Sequence, residues 1–423
     1  MRTAAIIRLG SPCIGLMSSL PAIEGGRPQR PYFKEYFPTF TQEEKELVLK
    51  VLESGRLSST AGSITRKFEE EFSKYIKVRY SLAVSNGTAA LHTAVASLGI
   101  GAGDEVITTP FSFVASATAI LHNNAVPVFA DIDLETLNID PDTIEDRITP
   151  RTRAILAVHI AGHPAEMDEI MKIAREHGLA VIEDCAQAIG SEYRGRKVGG
   201  IGDVGGFSFY QSKNITTGEG GMVTTNSEEI YRKARLFVNH GQEDRYYHVL
   251  LGWNYRITEL QAAVGLAQLA KIDELNAQRE RIARIYTEEL ESLDGDLVQL
   301  PKARSHVKHT WHIYQVLLKL EKLRVSRDRI VEALRAENVL ALVAYPRVIY
   351  ENPLFLQLVG YGKGCPWACP FRGAGVSYKK GMSPRAELAA RSVVTLPTLA
   401  GMSEEDALDT AAAFKKVLFY YKV

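Results

Sequence analysis

Lys213 lies in the stretch Phe207-Ser208-Phe209-Tyr210-Gln211-Ser212-Lys213-Asn214-Ile215-Thr216-Thr217-Gly218-Glu219-Gly220-Gly221. Hydroxyls and glycines crowd both sides of this lysine, and apolar residues precede it. A solvated surface lysine has no need of that setting. In water its pKa is about 10.4, so the amine is a cation and not a nucleophile. Burial and neighbouring cations lower that value and free the amine to attack an aldehyde, forming a Schiff base. A lysine beside a glycine turn that ends a strand is the bland alternative. Residues elsewhere in the chain argue against it.

Ser85-Asn86-Gly87-Thr88 falls between an expected strand and an expected helix. Gly87 lets the backbone approach an anion, and a helix start at Thr88 offers unpaired N–H groups, so a phosphate is the natural guest. A plain helix cap is the simpler reading of the same four residues. Glu183-Asp184 ends a buried apolar run, where a carboxylate is costly without a partner. A pyridinium nitrogen is such a partner for Asp184, and a protonated ring of that kind is an electron sink. Gln187 stands three residues on, in reach of a ring hydroxyl. Phe113 follows a strand end and suits stacking on a flat ring, or simple core packing. Ser208 can donate its hydroxyl to the same phosphate. A phosphate nest, a buried acid at a strand end and a lysine after a further strand converge on one molecule, pyridoxal 5′-phosphate.

Positioning such groups takes a sheet. Residues 80–84, 105–109, 126–130, 154–158 and 180–184 read as short β-rich strands. Residues 88–98, 112–122 and 166–177 read as the helices between them. The alternation predicts an α/β fold, a large mostly parallel sheet covered by helices on both faces, with ligands at the carboxyl ends of its strands. The character changes after about residue 268. A charged amphipathic helix is expected over 272–293, strands over 313–320 and 339–344, and a helix over 404–417, as in a smaller α+β unit. The expected division is a lead segment at 1–31, a large cofactor-binding domain at 32–270 and a small C-terminal domain at 271–423. Loop-rich sequence fills 345–383, and loops of that length are often functional.

The chain has 423 residues, 46% hydrophobic and 24% charged, which is ordinary for a globular protein with large cores. Lysine plus arginine equals aspartate plus glutamate at 50 each. That balance leaves no global basic field to gather nucleic acid or a lipid surface. Cys13, Cys185, Cys365 and Cys369 form no disulfide framework. The pair Cys365 and Cys369 offers two metal ligands where a tetrahedral zinc site takes four, so no metal is expected. The start of the chain is interrupted by Arg8 and Pro12, and no later run has membrane length, which predicts a cytoplasmic protein.

With these residues in view, the chain resembles the DegT/StrS-type family of pyridoxal-phosphate aminotransferases, which aminate keto sugars and related cyclic ketones. The resemblance rests on the Ser85-Asn86-Gly87-Thr88-Ala89-Ala90-Leu91 run, on Gly103-Asp104-Glu105-Val106-Ile107 and on Val158-His159-Ile160-Ala161-Gly162. It rests also on Glu183-Asp184-Cys185-Ala186-Gln187-Ala188, the Lys213 stretch and Asn254-Tyr255-Arg256-Ile257-Thr258-Glu259. It runs from about residue 23 to about residue 269 and thins beyond. Residues 17–28 look like a family start, so 1–16 read as an extension or as an upstream start choice.

The resemblance implies a catalytic pair, Lys213 bonding the cofactor and Asp184 holding its ring nitrogen. Gln187 would contact the ring oxygen, Phe113 would stack, and Gly87, Thr88 and Ser208 would hold the phosphate. Asn254 would reach that phosphate from a neighbouring subunit, so active sites shared across a homodimer are implied. Arg256, His240 and His248 are weaker candidates for substrate contact. The implied reaction moves an amino group from an amino acid, glutamate or glutamine, to a cyclic ketone by ping-pong kinetics. A sugar dehydratase and a non-catalytic regulator on the same fold are the competing readings. Lys213 argues against the first, since histidine holds that place in the dehydratases. The intact Lys213–Asp184 pair argues against the second. Tyr345-Pro346 stands where sugar-acting relatives carry a Tyr-Pro and then a histidine. Here Arg347 and Tyr350 occupy the neighbourhood and the histidine is missing, which counts against a nucleotide-sugar acceptor and leaves a cyclitol or another cyclic ketone open.

Overall fold

The computed structural model describes residues 20–371 and 375–423. Cys13 and the expected extension at 1–16 lie outside the described residues. Seven strands form the large sheet: β1 (Tyr80–Val84), β2 (Glu105–Thr108), β3 (Val126–Phe129), β4 (Thr152–Val158), β5 (Ala180–Asp184), β6 (Val204–Ser208) and β7 (Gly221–Thr225). Their order across the sheet is β1-β7-β6-β5-β4-β2-β3. Only β7 runs against the others, pairing antiparallel with both β1 and β6. The mostly parallel α/β fold expected from the sequence is the fold observed.

Side chains on this sheet alternate between two cores, as strand geometry requires. On β4, Ala154, Leu156 and Val158 enter one core, while Ile155 and Ala157 enter the other. After α1 (Gln42–Ser54), α2 (Ile64–Ile76) covers the second core, with Phe68 and Phe72 fully buried. The first lies under α3 (Gly87–Ser97) and α4 (Ala115–His122). The next helices are α5 (Met167–His177), α6 (Glu228–Val238) and α7 (Glu259–Ala270). With both faces covered, the strands are close to uniformly buried, which is why they read as apolar runs.

Beyond α7, α8 (Ile272–Leu290) leads to a three-stranded antiparallel sheet of β8 (Val298–Gln299), β9 (Tyr314–Leu318) and β10 (Val393–Leu396). This sheet packs with α8, α9 (Arg327–Ala336) and α11 (Glu404–Tyr421) around a third core. Between α9 and β10 the chain passes through α10 (Pro384–Ser392). The expected strand over 339–344 is reduced to one bridge, Leu342 to Thr395, before Tyr345-Pro346 turns the chain away. The loop-rich segment after it buries Val348, Ile349, Tyr350, Phe355, Trp367 and Tyr378 in the first core of the large sheet. The Tyr361 hydroxyl donates to the Leu121 carbonyl at 3.1 Å and the Tyr378 hydroxyl to the Pro127 carbonyl at 2.8 Å. The C-terminal third therefore reaches back across the sheet.

Asp406 ties the lead segment to the small unit. It caps α11 reciprocally with Ser403, at 2.9 and 3.1 Å, and accepts bonds from Arg30 and Lys34, both at 2.6 Å. Burial by itself raises its pKa, but the Lys34 and Ser403 bonds outweigh burial and hold the carboxyl at about 2. An unfolded aspartate titrates near 3.9, so the stabilisation is complete above about pH 5 and is lost as pH falls toward 2. Asp406→Asn should lower the unfolding free energy by roughly 2 kcal/mol at pH 7. Urea unfolding of both proteins at pH 7 and pH 3 checks the sign. The gap should shrink at pH 3, and an unchanged gap would contradict the assignment.

Candidate active site

The strands β1, β2, β4, β5 and β6 share one direction, so the residues that follow them gather at one edge of the sheet. Gly87 and Thr88 follow β1, Phe113 follows β2, Asp184 ends β5 and Ser208 ends β6. The Lys213 loop links Ser208 to Gly221 of β7, whose first residue pairs with both Val84 and Ser208. Sheet topology thus brings together residues that span more than a hundred positions of sequence.

The contact at Gly87 is close. A Cβ placed there would lie 2.6 Å from the Ser208 Cβ, and one placed at Gly221 would lie 2.5 Å from the Asn86 carbonyl oxygen. Asn86 caps α3, its side-chain oxygen accepting from the Ala89 N–H at 2.8 Å. The N–H groups of Gly87 and Thr88 are the first two of that helix and have no intrahelical acceptor. Together with the Ser208 hydroxyl they form a cradle for an anion at a helix N-terminus.

Asp184 is buried, with 4% of its surface exposed. Its Oδ2 accepts from the Ser116 hydroxyl at 2.7 Å and its Oδ1 from the Ala186 N–H at 3.1 Å. Burial raises its pKa, while those two bonds and the charge of Lys213 pull the other way. A carboxylate accepts about four bonds, and a cationic ring N–H is the partner that would best offset its burial. Lys213 is half-buried, and burial lowers its pKa to about 8. Asp184 opposes that shift and Arg279 reinforces it. The amine is therefore partly free base near neutral pH, as nucleophilic attack on an aldehyde requires.

Gln187 is buried too, and both ends of its amide are engaged. Its Oε1 accepts from the Ala161 N–H at 2.9 Å, and its Nε2 donates to the Tyr345 hydroxyl at 2.6 Å. Glu183, on the opposite face of β5, accepts from the N–H groups of Gly199, Ile201 and Gly202 at 2.7–2.8 Å and lies 3.1 Å from His159. That is a structural carboxylate, fully occupied. Phe113 is 62% exposed, not packed in the core. The helix expected from residue 112 begins at Ala115, and the Ser112 hydroxyl before it bonds that of Ser116 in its first turn at 2.9 Å.

Asn254 is exposed and pairs with Asn239 through one bridge. Arg256 donates to the Asn239 side chain at 2.6 Å, and His240 and His248 stand exposed beyond it. These four do not join the Lys213 group within one chain. Tyr350, expected near the acceptor, is buried instead, its hydroxyl donating to Glu387 at 2.7 Å and accepting from the Ser383 N–H at 3.1 Å. Tyr345 is the residue of that loop that enters the site. Ser116, Tyr345 and Arg279 were not expected as site residues. Only the Tyr-Pro pair carried a signal in the sequence, since the partners of the other two are remote along the chain.

An amine and an acid set against a helix-start anion cradle at the carboxyl edge of a mostly parallel sheet define a pyridoxal-phosphate enzyme with an aminotransferase fold. The model of the DegT/DnrJ/EryC1/StrS aminotransferase family matches residues 38–377, and the chain belongs to that family. The protein is an aminotransferase. It is 37% identical to a GDP-perosamine synthase of Caulobacter vibrioides, over 90% of this chain and 97% of that one. It is 41% identical to a putative L-glutamine:3-amino-2,3-dideoxy-scyllo-inosose aminotransferase of Streptoalloteichus tenebrarius, over 76% of this chain and 79% of that one. Among solved structures, a putative sugar aminotransferase of Streptococcus pneumoniae in its PMP form superposes with a TM-score of 0.81. The two are 26% identical over 92% of this chain and 98% of that one.

Members of the family use pyridoxal 5′-phosphate, and the residues present fit it. The Gly87–Ser208 cradle suits a phosphate, Asp184 has acceptor capacity to spare, and Lys213 is poised as an amine. Gly87→Ala tests the cradle, because alanine is a good helix residue and only its Cβ contact with Ser208, at 2.6 Å, opposes it. Cofactor affinity, read by fluorescence titration, should fall by roughly 100-fold, equivalent to about 2.7 kcal/mol. Unchanged affinity would remove Gly87 from the phosphate site.

Proposed function

We propose that this aminotransferase takes an amino group from L-glutamate or L-glutamine and delivers it to a keto sugar, a nucleotide-linked keto sugar or a keto cyclitol. The observation that carries the reading is the Lys213–Asp184 pair, a half-buried amine and a buried acid beside an anion cradle. Relatives named for perosamine synthesis and for inosose amination support a sugar or cyclitol acceptor.

The cofactor, when bound, supplies an aldehyde that receives the amino group and a ring that stores an electron pair. Gly87, Thr88 and Ser208 would hold its phosphate. Asp184 would accept a hydrogen bond from its ring nitrogen, with Ser116 keeping that carboxylate in place. Gln187, bonded to Tyr345, would contact the ring oxygen, and Phe113 would stack on the ring. Lys213 Nζ would be the amine that bonds the cofactor and, as a free amine, the base that takes the donor's Cα proton, a task suited to a pKa near operating pH.

The active form is a homodimer with Asn254 of each subunit completing the other's phosphate site. The hairpin that leads to Asn254 supports this. Tyr246, Tyr247, Leu251 and Trp253 are 78%, 62%, 87% and 48% exposed there, an apolar cluster that a lone chain would leave in water. No helix among the described residues is long and apolar enough to cross a membrane. The proposed location is the cytoplasm.

Borohydride reduction of the native enzyme should fix the cofactor covalently to Lys213 and to no other lysine, as peptide mass spectrometry would show. Label elsewhere would end the assignment. Lys213→Ala should abolish turnover and the visible band of the bound cofactor. Asp184→Asn should retain the fold and slow proton abstraction by roughly two orders of magnitude or more, a loss of about 3 kcal/mol in transition-state stabilisation. Adding glutamate or glutamine should convert the aldehyde-form spectrum to the amine form. A panel of keto sugars and keto cyclitols then reveals the acceptor as the compound that restores the first spectrum.

A further inference from the structure

Arg279, on α8, is 2% exposed and has no carboxylate partner among the described residues. Its guanidinium donates only to backbone carbonyls. Nη1 reaches His312 at 3.1 Å and Thr398 at 2.8 Å, and Nη2 reaches Lys213 at 3.4 Å. Its Nε finds no acceptor. An uncompensated buried cation is expensive, and burial brings the pKa of this arginine down to about 10. A purely structural clamp of three carbonyls has no need of a full charge, because a neutral amide can donate to carbonyls at far lower desolvation cost.

The three carbonyls come from three separate segments: the Lys213 loop, the entry to β9 and the exit from β10. The residue after Lys213 is held to the same place. Asn214 donates to Asn276 of α8 at 2.7 Å and to the Thr310 carbonyl at 3.0 Å, and its oxygen lies 3.2 Å from His312 Nδ1. The groups that face Lys213 are thus Asp184 from β5, Arg279 from α8 and His312 from the start of β9. His312 is kept neutral by burial and by the two neighbouring cations, Lys213 and Arg279. Asp184 and Arg279 are the two charges left, and they act on the lysine in opposite senses.

We propose that Arg279 is a positioning residue for Lys213: its fork fixes the Lys213 main chain to the small unit, and its unbalanced charge counters Asp184 at the ε-amine. A reactive lysine facing an acid needs such a counterweight, because the acid alone would hold it as an unreactive ammonium. The inference rests on Lys213 being the attacking amine.

The test uses the full-length chain freed of cofactor. Lys213 is acetylated across a pH series, and its labelling is followed by peptide mass spectrometry. In Arg279→Gln, which keeps donors for the carbonyls and loses the charge, the labelling midpoint should rise by about one pH unit. Labelling at pH 7 should then drop several-fold, up to about tenfold. Arg279→Lys, which keeps the charge and loses the planar fork, should hold the wild-type midpoint and show an altered plateau rate. A folded Arg279→Gln protein with the wild-type midpoint overturns the proposal. If that variant does not fold, Arg279→Lys decides. A wild-type midpoint with a changed plateau supports the proposal, and a wild-type plateau or a shifted midpoint overturns it. Borohydride trapping at Lys213 in the same preparations separates this outcome from a failure of the catalytic assignment. Trapping intact with an unmoved midpoint sinks only the role of Arg279.

Discussion

An acid and an amine, both largely withdrawn from water, stand within each other's field at the carboxyl edge of the large sheet, and the rest of the site exists to keep that arrangement tolerable. Left alone, Asp184 would take up a proton or draw Lys213 into a closed ion pair, and either outcome would end its use. The protein opposes both with hydrogen-bond donors, with the charge of Arg279 and with geometry. Ser116 and the Ala186 N–H stabilise the carboxylate without neutralising it. The loop that carries the lysine is held by side chains, with Arg279 donating to the Lys213 carbonyl and Asn214 to the Thr310 carbonyl. Such preorganisation lets charged groups work in a dry site.

That requirement explains why the small unit and the large sheet are tied so closely. The loop carrying Lys213 is anchored by α8, which also supplies one wall of the third core. Asn214, Asn276, His312 and Arg279 form a buried polar network across the junction. The segment beyond Tyr345 returns to the large sheet and buries Tyr350, Phe355, Trp367 and Tyr378 there. Tyr345 at its start can then rest against Gln187. A change in how the small unit sits would be felt both at the lysine and at the face expected to meet the acceptor.

Much of the fold was legible along the chain. Short apolar runs alternating with amphipathic helices predicted the parallel sheet, because strands covered on both faces must be apolar throughout. The strands at Tyr80–Val84 and Ala180–Asp184 agree with expectation to the residue. The failures have local physical causes. Residues 339–344 carry strand-forming residues but meet only one partner pair, so propensity had no ladder to express itself in. The helix expected from residue 112 starts at Ala115, with Ser112 left in the bend before it and bonded back to Ser116 of the first turn. Tyr350 looked like a binding residue by position, and turned out to satisfy a buried glutamate.

The class of chemistry is local: a lysine among hydroxyls and glycines, an acid at the end of an apolar strand and a glycine at a helix start are each written in adjacent residues. What tunes those groups comes from packing. Ser116 is 68 positions from Asp184, Arg279 is 66 from Lys213 and Tyr345 is 158 from Gln187. Periodicity and capping are local and leave a trace in neighbouring residues. The electric field inside a folded protein sums over whatever packing brings close, and no spacing along the chain records it.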